Sequence, residues 1–436
     1  MGHNPTNQTT AATASLLQVA HNASLGGLRM LDGTISDQLE ARALSFALDQ
    51  VDIFSSSWGP SDDGETVEGP GRLAAAALEK GAREGRAGRG VIYVWASGNG
   101  GIRGDDCSCD GYAGSIYTVS VSSASQQGAA TWYGESCPST LASTYSSGAY
   151  TDQKIATTDV GGGCTVSHTG TSAAAPLAAG VLALVLEAAP QLTWRDVQHL
   201  VVRAADPAPL TADPGWRENG AGLQYNPRFG FGILDAERIV EMALSWQLVG
   251  EADQCEVAGQ RARLGARLAE ITEADVAELV FTVENCHLKS LEHVQLLLRW
   301  QTITSAVHFV TLYSHYLFCR LQIRVDRPKK AKQCTLSNDF IFSRVGVAEA
   351  PPLSVTHPVR GSLEAVLVSP AGTRTRLLST RPRDTSELGF RAWPLTSVET
   401  WGEAAAGVWR LYLASRAGPG VTWSPGNSTL VLHGTH

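Results

Sequence analysis

The stretch His168–Pro176 reads HTGTSAAAP, and it places a serine between a turn of small residues and an alanine-rich run. Gly170 allows the backbone to approach a ligand closely, and the run Ala173–Leu186 has the composition of a buried helix. The free N–H groups at the start of a helix favour developing negative charge. The pattern predicts that Ser172 is a nucleophile, although a small-residue turn that only opens a packed helix has the same composition.

A second stretch upstream, Ala96–Gly101 (ASGNGG), favours the catalytic interpretation. It follows the apolar run Val91–Trp95, which is typical of a buried strand. At the end of such a strand, the side-chain amide of Asn99 can point at an oxyanion. A simple Asn-Gly turn explains this stretch alone, but it explains poorly why both motifs occur in one chain. We therefore expect Ser172 to attack a carbonyl group and Asn99 to stabilise the oxyanion.

With both motifs in view, the sequence resembles the subtilisin-like serine proteases, and more narrowly their kexin and furin branch, the proprotein convertases. The stretches that carry the resemblance are rich in small and acidic residues, and they are Ser57–Gly64 (SWGPSDDG), the Asn99 stretch, Cys107–Tyr112 (CSCDGY), the Ser172 stretch, Gly26–Gly33 (GGLRMLDG) and Leu192–His199 (LTWRDVQH). The resemblance runs from about Val19 to His436 with one interruption. It implies a serine endopeptidase that cleaves proproteins after paired or multiple basic residues.

The order of the predicted elements divides the chain into an α/β part and an all-β part. Strands alternate with helices in residues 19–245, which predicts a parallel sheet with helices on both faces, the peptidase domain of the resemblance. Its predicted elements are strands at Leu28–Leu31, Val51–Ser56, Val91–Trp95 and Ile116–Ser122, and helices at Ser36–Ala47, Gly71–Glu84 and Thr193 to about Ala204. Residues 249–436 have short alternating runs, and here the resemblance implies the all-β jelly-roll P-domain of the convertases.

Two segments do not match the family. Residues 1–18 are polar and rich in Thr and Ala. Residues 301–353 form an atypical insert that contains aromatic residues, a basic run, Cys319 and Cys334. An unstructured loop of that length is uncommon in a compact domain. The insert is therefore either a real adaptation or an unspliced or wrongly assigned part of the gene.

The first two residues of a catalytic triad do not appear where the resemblance requires them. The subtilisin order is Asp, His, Ser, and both earlier residues would precede Gly26. The histidines ahead of Ser172 are His3, His21 and His168, and none lies in the Gly- and Thr-rich helix start of the family's base. We therefore expect the triad Asp and His to be absent and this chain to lack meaningful peptidase activity.

Two other classes of function compete with the endopeptidase. One is a catalytically inactive truncated isoform or pseudoenzyme that binds basic peptides, and the missing Asp and His favour it for this chain. The other is an amidase or esterase on a different fold, but the sequence contains no Gly-x-Ser-x-Gly elbow.

Acidic residues are concentrated in the loops that the resemblance places around the cleft. A solvated acidic face is the simpler explanation, but neighbouring like charges repel each other unless cations compensate them. The resemblance implies Asp110 at the base of the primary pocket, with Asp62 beside it, and so a basic peptide as the substrate. Further residues implied to contact substrate are Glu40, Glu68, Tyr112, Asp37, Trp58 and Gly59. Glu68 stands where the family usually has Asp.

The resemblance also implies Ca²⁺ as a cofactor. Asp62, Asp105 and Glu135 match a calcium site of the family behind the primary pocket. Clustered carboxylates and water can supply the six to eight oxygen ligands that Ca²⁺ takes.

The eight cysteines of the chain indicate an oxidising compartment. The resemblance implies disulfides between Cys107 and Cys137 and between Cys255 and Cys286. The family's partner of Cys164 falls at a serine in the segment that does not match, so we expect Cys164 to be free.

Composition narrows the partners and the compartment. The net charge of -8 argues against nucleic acid and favours a basic partner. No apolar run approaches ~18 residues, so we expect no transmembrane segment, and the N-terminus shows no secretory signal. The resemblance nevertheless implies the secretory pathway, from the Golgi and vesicles to the outside of the cell, and we expect a monomer. Triplets of the glycosylation type stand at Asn7, Asn22 and Asn427.

Overall fold

The computed structural model describes residues 18–159, 162–264, 276–299, 359–416 and 428–436. An α/β domain is followed by an all-β domain, as predicted. The insert at 301–353, with its two cysteines, lies outside the described residues, and so does the predicted N-terminal segment 1–18 except for Gln18.

The α/β domain is built on a mainly parallel sheet. Its strands are β1 (Ile53–Ser56), β2 (Ile92–Ala96), β3 (Thr118–Ala124), β4 (Ala142–Tyr145), β5 (Ile155–Thr158), β6 (Cys164–His168), β7 (Ala205–Asp206), β8 (Arg217–Glu218), β9 (Gln224–Tyr225) and β10 (Ile233–Leu234). The main sheet has the order β1-β2-β3-β4-β10-β7, in which only β7 is antiparallel to its neighbour. Two hairpins, β5–β6 and β8–β9, stand apart from it.

Helices cover both faces of this sheet, which confirms the predicted architecture. They are α1 (Asp37–Leu44), α2 (Arg72–Gly88), α3 (Thr171–Ala188), α4 (Trp194–Ala204) and α5 (Ala236–Leu244). Successive side chains of a strand point to opposite faces. Accordingly, Ile92 and Val94 of β2 pack in the core that contains α3, whereas Tyr93 and Trp95 pack in the core that contains α1 and α2.

Two of the predicted helix starts, Ser36 and Thr193, carry a capping side chain. The Ser36 hydroxyl accepts the N–H of Leu39, and Thr193 forms a capping box with Asp196 at the start of α4. Helix α1 ends three residues before the predicted end, since Ala47 has a left-handed backbone with φ 45°.

The predicted strand Leu28–Leu31 is wrong, because this segment is irregular. Within the described residues β1 is an edge of the main sheet, and no strand pairs with it on the outer side. A run of four residues alternates too briefly to specify a strand without a neighbour to take up its backbone hydrogen bonds.

The all-β domain is a sandwich of two antiparallel sheets, which confirms the second part of the predicted fold. Its strands are β11 (Asp253–Ala258), β12 (Gln260–Leu264), β13 (Val276–Val283), β14 (Ser290–Arg299), β15 (Leu363–Val368), β16 (Arg374–Leu378), β17 (Arg391–Ser397), β18 (Gly407–Ser415) and β19 (Thr429–Thr435). One sheet has the order β11-β19-β14-β17 and the other β12-β13-β18-β15-β16. Phe281 and Trp409 of one sheet share a buried core with Leu430 of the other.

Both predicted disulfides form. One joins Cys107 to Cys137 in the α/β domain, and the other joins Cys255 to Cys286 in the sandwich. Among the described residues, Cys164 is exposed and Cys109 is buried, and neither forms a disulfide there.

Helix α3 corrects the expectation that no apolar segment of the chain is long enough to cross a membrane. Its 18 residues have a mean hydropathy of 1.6, so its length and apolar character would allow it to cross a membrane. Within the protein, however, 67% of this window is buried, and Ala174, Leu182 and Val185 are core residues. The described residues therefore contain no clear transmembrane segment.

The two domains meet at a buried ionic cluster. Arg195 of α4 makes a charge-assisted pair with Glu292 of β14, and His199 Nε2 lies 2.9 Å from Glu292 Oε1. The Trp401 Nε1–H donates to His199 Nδ1 at 3.3 Å, so Nε2 carries the proton that faces Glu292. The cluster therefore fixes the tautomer of the histidine and joins the domains without an exposed charge.

We expect acid to destabilise this junction through His293, which lies beside Glu292. Burial lowers the pKa of His293 to about 3, and that of His433 to about 4, from an ordinary 6.5. The unfolded chain therefore binds protons that the folded chain does not, and stability falls as the pH drops below about 6.5. The pKa of Glu292 is lowered to about 2. Protonation of Glu292 therefore destabilises the folded state only below about pH 4.5, where the unfolded chain begins to bind this proton.

The free energy of unfolding should fall by roughly 2 kcal/mol between about pH 7 and about pH 5 for His293 alone. Urea titrations at several pH values measure it. The variant His293→Asn should flatten this dependence. The control variant His287→Asn replaces an exposed histidine in a nearby loop and should leave the dependence unchanged. Equal slopes for the two variants would contradict the assignment.

Candidate active site and acidic cleft

Ser172 is the second residue of α3, directly after a sharp turn. Gly170 has φ 90°, a conformation that a residue with a side chain rarely adopts. The Ser172 side chain is half-buried, and within the described residues its hydroxyl has no hydrogen-bond partner. The turn therefore presents the predicted nucleophile at the N-terminal end of a buried helix.

The Asn99 amide is oriented by the same turn. Its Oδ1 accepts the backbone N–H of Thr171 at 2.8 Å and the Thr171 hydroxyl at 3.1 Å. Because these bonds use the carbonyl oxygen, the NH₂ group remains available as a donor. This orientation suits the predicted oxyanion role of Asn99, which stays a prediction.

His168 is the histidine that lies nearest to Ser172 in the sequence. It belongs to β6, and its Nε2 is buried without a hydrogen-bond partner. Burial lowers the pKa of its ring, and a hydrogen bond with the Ser172 backbone opposes that shift. In the described part of the chain, no histidine ring is hydrogen-bonded to the Ser172 hydroxyl.

Glu40 is a predicted substrate-binding residue whose carboxylate is held by two aromatic side chains. Its carboxylate accepts the Tyr112 hydroxyl at 2.8 and 2.9 Å and the Trp58 Nε1–H at 3.3 Å. Trp95 stacks on Tyr112 with ring centroids 4.9 Å apart. Glu40 is thus a buried carboxylate held by neutral donors, and among the described residues no basic side chain pairs with it.

Asp110 is the most strongly perturbed residue of the predicted primary pocket. Its Oδ1 accepts the N–H groups of Tyr112 at 2.7 Å and Ala113 at 3.2 Å. Burial, together with the charges of Asp62 and Asp105, raises the pKa of Asp110 to about 7 despite these bonds. A cation that approaches this carboxylate would favour its charged form and so lower its pKa again.

Gly59 is placed against Asp110 for a steric reason. A Cβ at position 59 would lie 2.9 Å from Asp110 Oδ2, too close for an ordinary contact. Residue 59 therefore has to be glycine if the carboxylate is to keep its position. Glu68, by contrast, is exposed, and its backbone pairs with that of Asp110.

Asp37 has a structural role that the sequence did not indicate. Its two carboxylate oxygens accept the N–H groups of Leu73 at 3.0 Å and Ala74 at 2.8 Å. It thereby caps α2, whose own N-cap residue is a glycine with no side chain. Its predicted contact with substrate stays a prediction.

Asp105 and Glu135 form the core of the predicted calcium site. Asp105 accepts the N–H groups of Gly64 and Asp106, both at 2.9 Å, and Glu135 accepts that of Gly100 at 2.8 Å. Burial raises the pKa of Glu135 well above its ordinary value, and Asp105 and Asp62 raise it further. The carboxylates at this site therefore carry more negative charge than the neighbouring described side chains neutralise.

This donor set fits a hard cation only in part. A cavity of about 270 Å³ reaches Asp105 and Glu135, and the buried Ser122 hydroxyl on its wall has no hydrogen-bond partner. Oxygen donors and unbalanced negative charge suit Ca²⁺. As they stand, however, the described side chains include no group of three or more His, Cys, Asp or Glu residues close enough to hold a metal.

The predicted calcium site is contacted by a residue that sequence reasoning missed. Arg381 of the all-β domain is buried and lies 3.2 Å from Asp105. The two residues are far apart in the chain and no motif links them, so only the docking of the domains could reveal the contact.

Family models match both domains. A model described as subtilase family matches residues 2–232, and one described as proprotein convertase P-domain matches residues 351–422. The first match includes residues 2–18, and the predicted boundary at residue 18 stays a prediction.

Curated relatives resemble the chain over most of its length. It is 43% identical to proprotein convertase subtilisin/kexin type 4 of Homo sapiens, over 96% of this chain and 48% of that protein. It is 42% identical to endoprotease bli-4 of Caenorhabditis elegans (96% and 39%) and to furin-like protease 1, isoform 1-CRR, of Drosophila melanogaster (92% and 31%). The chain therefore spans less than half the length of these relatives.

Among solved structures, the serine protease of Aeromonas sobria in complex with its chaperone has a TM-score of 0.71 at 17% identity. The match covers 99% of this chain and 82% of that one. The likeness shows a common fold across both domains.

We expect the pocket around Asp110 to bind a guanidinium more tightly as the pH rises. With a pKa of about 7, the carboxylate is mostly neutral below that pH and attracts a cation above it. In calcium-free buffer, the affinity for n-butylguanidine should rise about tenfold from about pH 6 to about pH 8. Isothermal titration calorimetry measures it. Asp110→Asn should weaken binding and remove the pH dependence; an unchanged pH profile in this variant would contradict the assignment.

Proposed function

This chain belongs to the subtilase family and carries a proprotein convertase P-domain, and on that premise we propose that its active site is that of a serine endopeptidase specific for paired or multiple basic residues of proproteins, an activity that also requires a base and an orienting carboxylate beside Ser172. The observation that carries the proposal is the half-buried carboxylate of Asp110, which accepts two backbone N–H groups and pairs with no basic side chain among the described residues. A substrate guanidinium would supply the missing charge and form paired hydrogen bonds with two carboxylates.

The remaining acidic residues extend the same preference along the substrate. Glu40 has only neutral hydrogen-bond donors around it, which leaves its charge available to a basic side chain. Glu68 is exposed near Asp110. We infer that both bind a basic residue upstream of the scissile bond, with Tyr112 and Trp58 forming the wall.

The chemical step begins at Ser172 and is supported by Asn99. Attack of the serine oxygen on the scissile carbonyl creates an oxyanion, and the free NH₂ of Asn99, together with the N-terminal end of α3, would stabilise it. The serine also needs a base to accept its proton and a carboxylate to orient that base. Among the described residues, no histidine ring is hydrogen-bonded to the Ser172 hydroxyl.

Calcium is the cofactor that the family implies, and we propose that Asp62, Asp105 and Glu135 bind it with water from the adjacent cavity. A divalent cation would neutralise the charge that now raises the pKa of Glu135. Bound there, it would stabilise the loops behind the primary pocket.

The convertase relatives act in the secretory pathway on protein substrates, and we infer the same compartment for this chain. Its two disulfides suit an oxidising environment. We expect a monomer that binds basic proproteins or peptides.

Calcium should raise the melting temperature. A ligand that binds only the folded state stabilises it by about 2.7 kcal/mol at a concentration ~100-fold above its Kd, which corresponds to a shift of roughly 5–10 °C. Differential scanning fluorimetry with and without a chelator measures it. Glu135→Gln should abolish the shift, and Glu84→Gln, in an exposed pair with Lys80, should retain it. A melting temperature indifferent to calcium would remove the site.

The chain by itself should not cleave an Arg-rich fluorogenic peptide. Without a positioned base a serine is a weak nucleophile, and in subtilisin the loss of the histidine alone lowers turnover by ~10⁶. A version extended by a segment with the family's Asp and His should cleave after arginine, and Ser172→Ala should abolish this cleavage. Comparable turnover by both versions would reveal another base in this chain. An extended version that binds the peptide without cleaving it would contradict the endopeptidase.

A further inference from the structure

One loop of the all-β domain, Ser379–Asp384, lies against the two acidic loops of the α/β domain, residues 62–68 and 105–110. The Ser379 N–H donates to Asp106 Oδ2 at 2.7 Å, and Trp393 Nε1–H donates to the Ser108 carbonyl at 2.8 Å. These contacts bring the second domain directly behind the loop that carries Asp110. The back of the predicted primary pocket is therefore formed by another domain.

Arg381 is the charged residue at the centre of this contact. Its side chain is 2% exposed, and its Nη2–H donates to the carbonyl of Thr66 at 2.7 Å. Its Nε lies 3.2 Å from Asp105 Oδ1, in an ion pair whose geometry is not that of a hydrogen bond. Its Nη1 lies 3.3 Å from Asp384, so each end of the guanidinium faces a different partner.

Asp105 extends this link to the other acidic loop. Its Oδ2 accepts the N–H of Gly64, which lies two residues after Asp62. Arg381 thus ties Thr66 and Asp105 together, and through them it fixes the loops that carry Asp62 and Asp110. Two carboxylates can bind one guanidinium in a paired geometry only if their separation is held constant.

We propose that Arg381 is a positioning residue that determines the preference of the primary pocket for guanidinium over ammonium. The inference rests on the proposed function, since it concerns the same pocket. An ammonium is a compact point charge that tolerates variable carboxylate positions, whereas a planar guanidinium requires a fixed pair. Loss of Arg381 should therefore weaken discrimination more than it weakens cation binding as such.

Arg360 provides a matched control. It too comes from the all-β domain, pairs with Asp384 at 2.6 Å, and donates to a carbonyl of the same acidic loop, that of Glu65, at 2.6 Å. No contact between Arg360 and Asp105 occurs among the described residues. A variant of Arg360 therefore removes a comparable link between domains while it leaves the ion pair at Asp105 intact.

The experiment compares two small probes of equal charge, n-butylguanidine and n-pentylamine, by calorimetric titration of the whole chain in calcium-saturated buffer. The wild type should bind the guanidine at least about tenfold more tightly. Arg381→Met should reduce this ratio about tenfold, to near one, whereas Arg360→Met should keep it within about twofold. Circular dichroism establishes that each variant is folded.

If Arg381→Met does not fold, Arg381→Lys replaces it, because lysine retains the charge but cannot reach Thr66 and Asp105 with a planar fork. It should reduce the ratio at least about fivefold. A folded variant of Arg381 with the wild-type ratio would overturn the inference and leave the proposed function standing. A wild type that binds neither probe would overturn both. If Arg360→Met lowers the ratio of the two affinities as much as Arg381→Met does, Arg381 is only one of several contacts that dock the domains, and the inference is overturned.

Discussion

Asp105 accepts the N–H groups of Gly64 and Asp106, and its Oδ1 also faces the guanidinium of Arg381. One buried carboxylate thereby joins both acidic loops of the α/β domain to the sandwich. Removing one partner from a buried ion pair leaves an uncompensated charge and costs about 3–5 kcal/mol. The shape of the cleft and the docking of the domains therefore depend on the same contact.

The cleft carries more negative charge than the protein neutralises. Asp110 and Glu135 have a raised pKa because they are buried and because other carboxylates lie close to them. This arrangement weakens the folded state on its own, and cations that enter the cleft relieve the repulsion. Under the proposed function, this cost in stability would be recovered as affinity for a basic substrate and for calcium, a common origin of the trade-off between stability and function.

The catalytic elements follow a different principle, that of geometry fixed in advance. Thr171 holds the Asn99 carbonyl oxygen, so the amide donor needs no reorientation when an oxyanion forms. Gly170 turns the chain so that Ser172 stands at the start of a helix, and the apolar residues of α3 fix that helix in the core. The predicted nucleophile and the predicted oxyanion donor are therefore held in place before any substrate binds.

The sequence by itself determined the elements whose signal is local. Capping side chains at Ser36 and Thr193 marked helix starts, and the apolar run ending at Trp95 marked a buried strand, because these patterns depend on neighbours a few residues away. The Ser172 and Asn99 motifs and the acidic loops were visible for the same reason, and the resemblance that they carry gave the fold of both domains. The missing strand at Leu28–Leu31 shows the limit, since a strand also needs a partner.

Only the tertiary structure decided which acidic residues serve the fold and which remain available to a ligand. Asp37 caps a helix that begins 35 residues later, Glu40 is held by a tyrosine hydroxyl, and Asp105 faces an arginine from the other domain. In the sequence these carboxylates look alike. Their roles differ because burial and hydrogen-bond partners come from segments that are distant in the chain, and burial governs the energy of a charge more strongly than its sequence neighbours do.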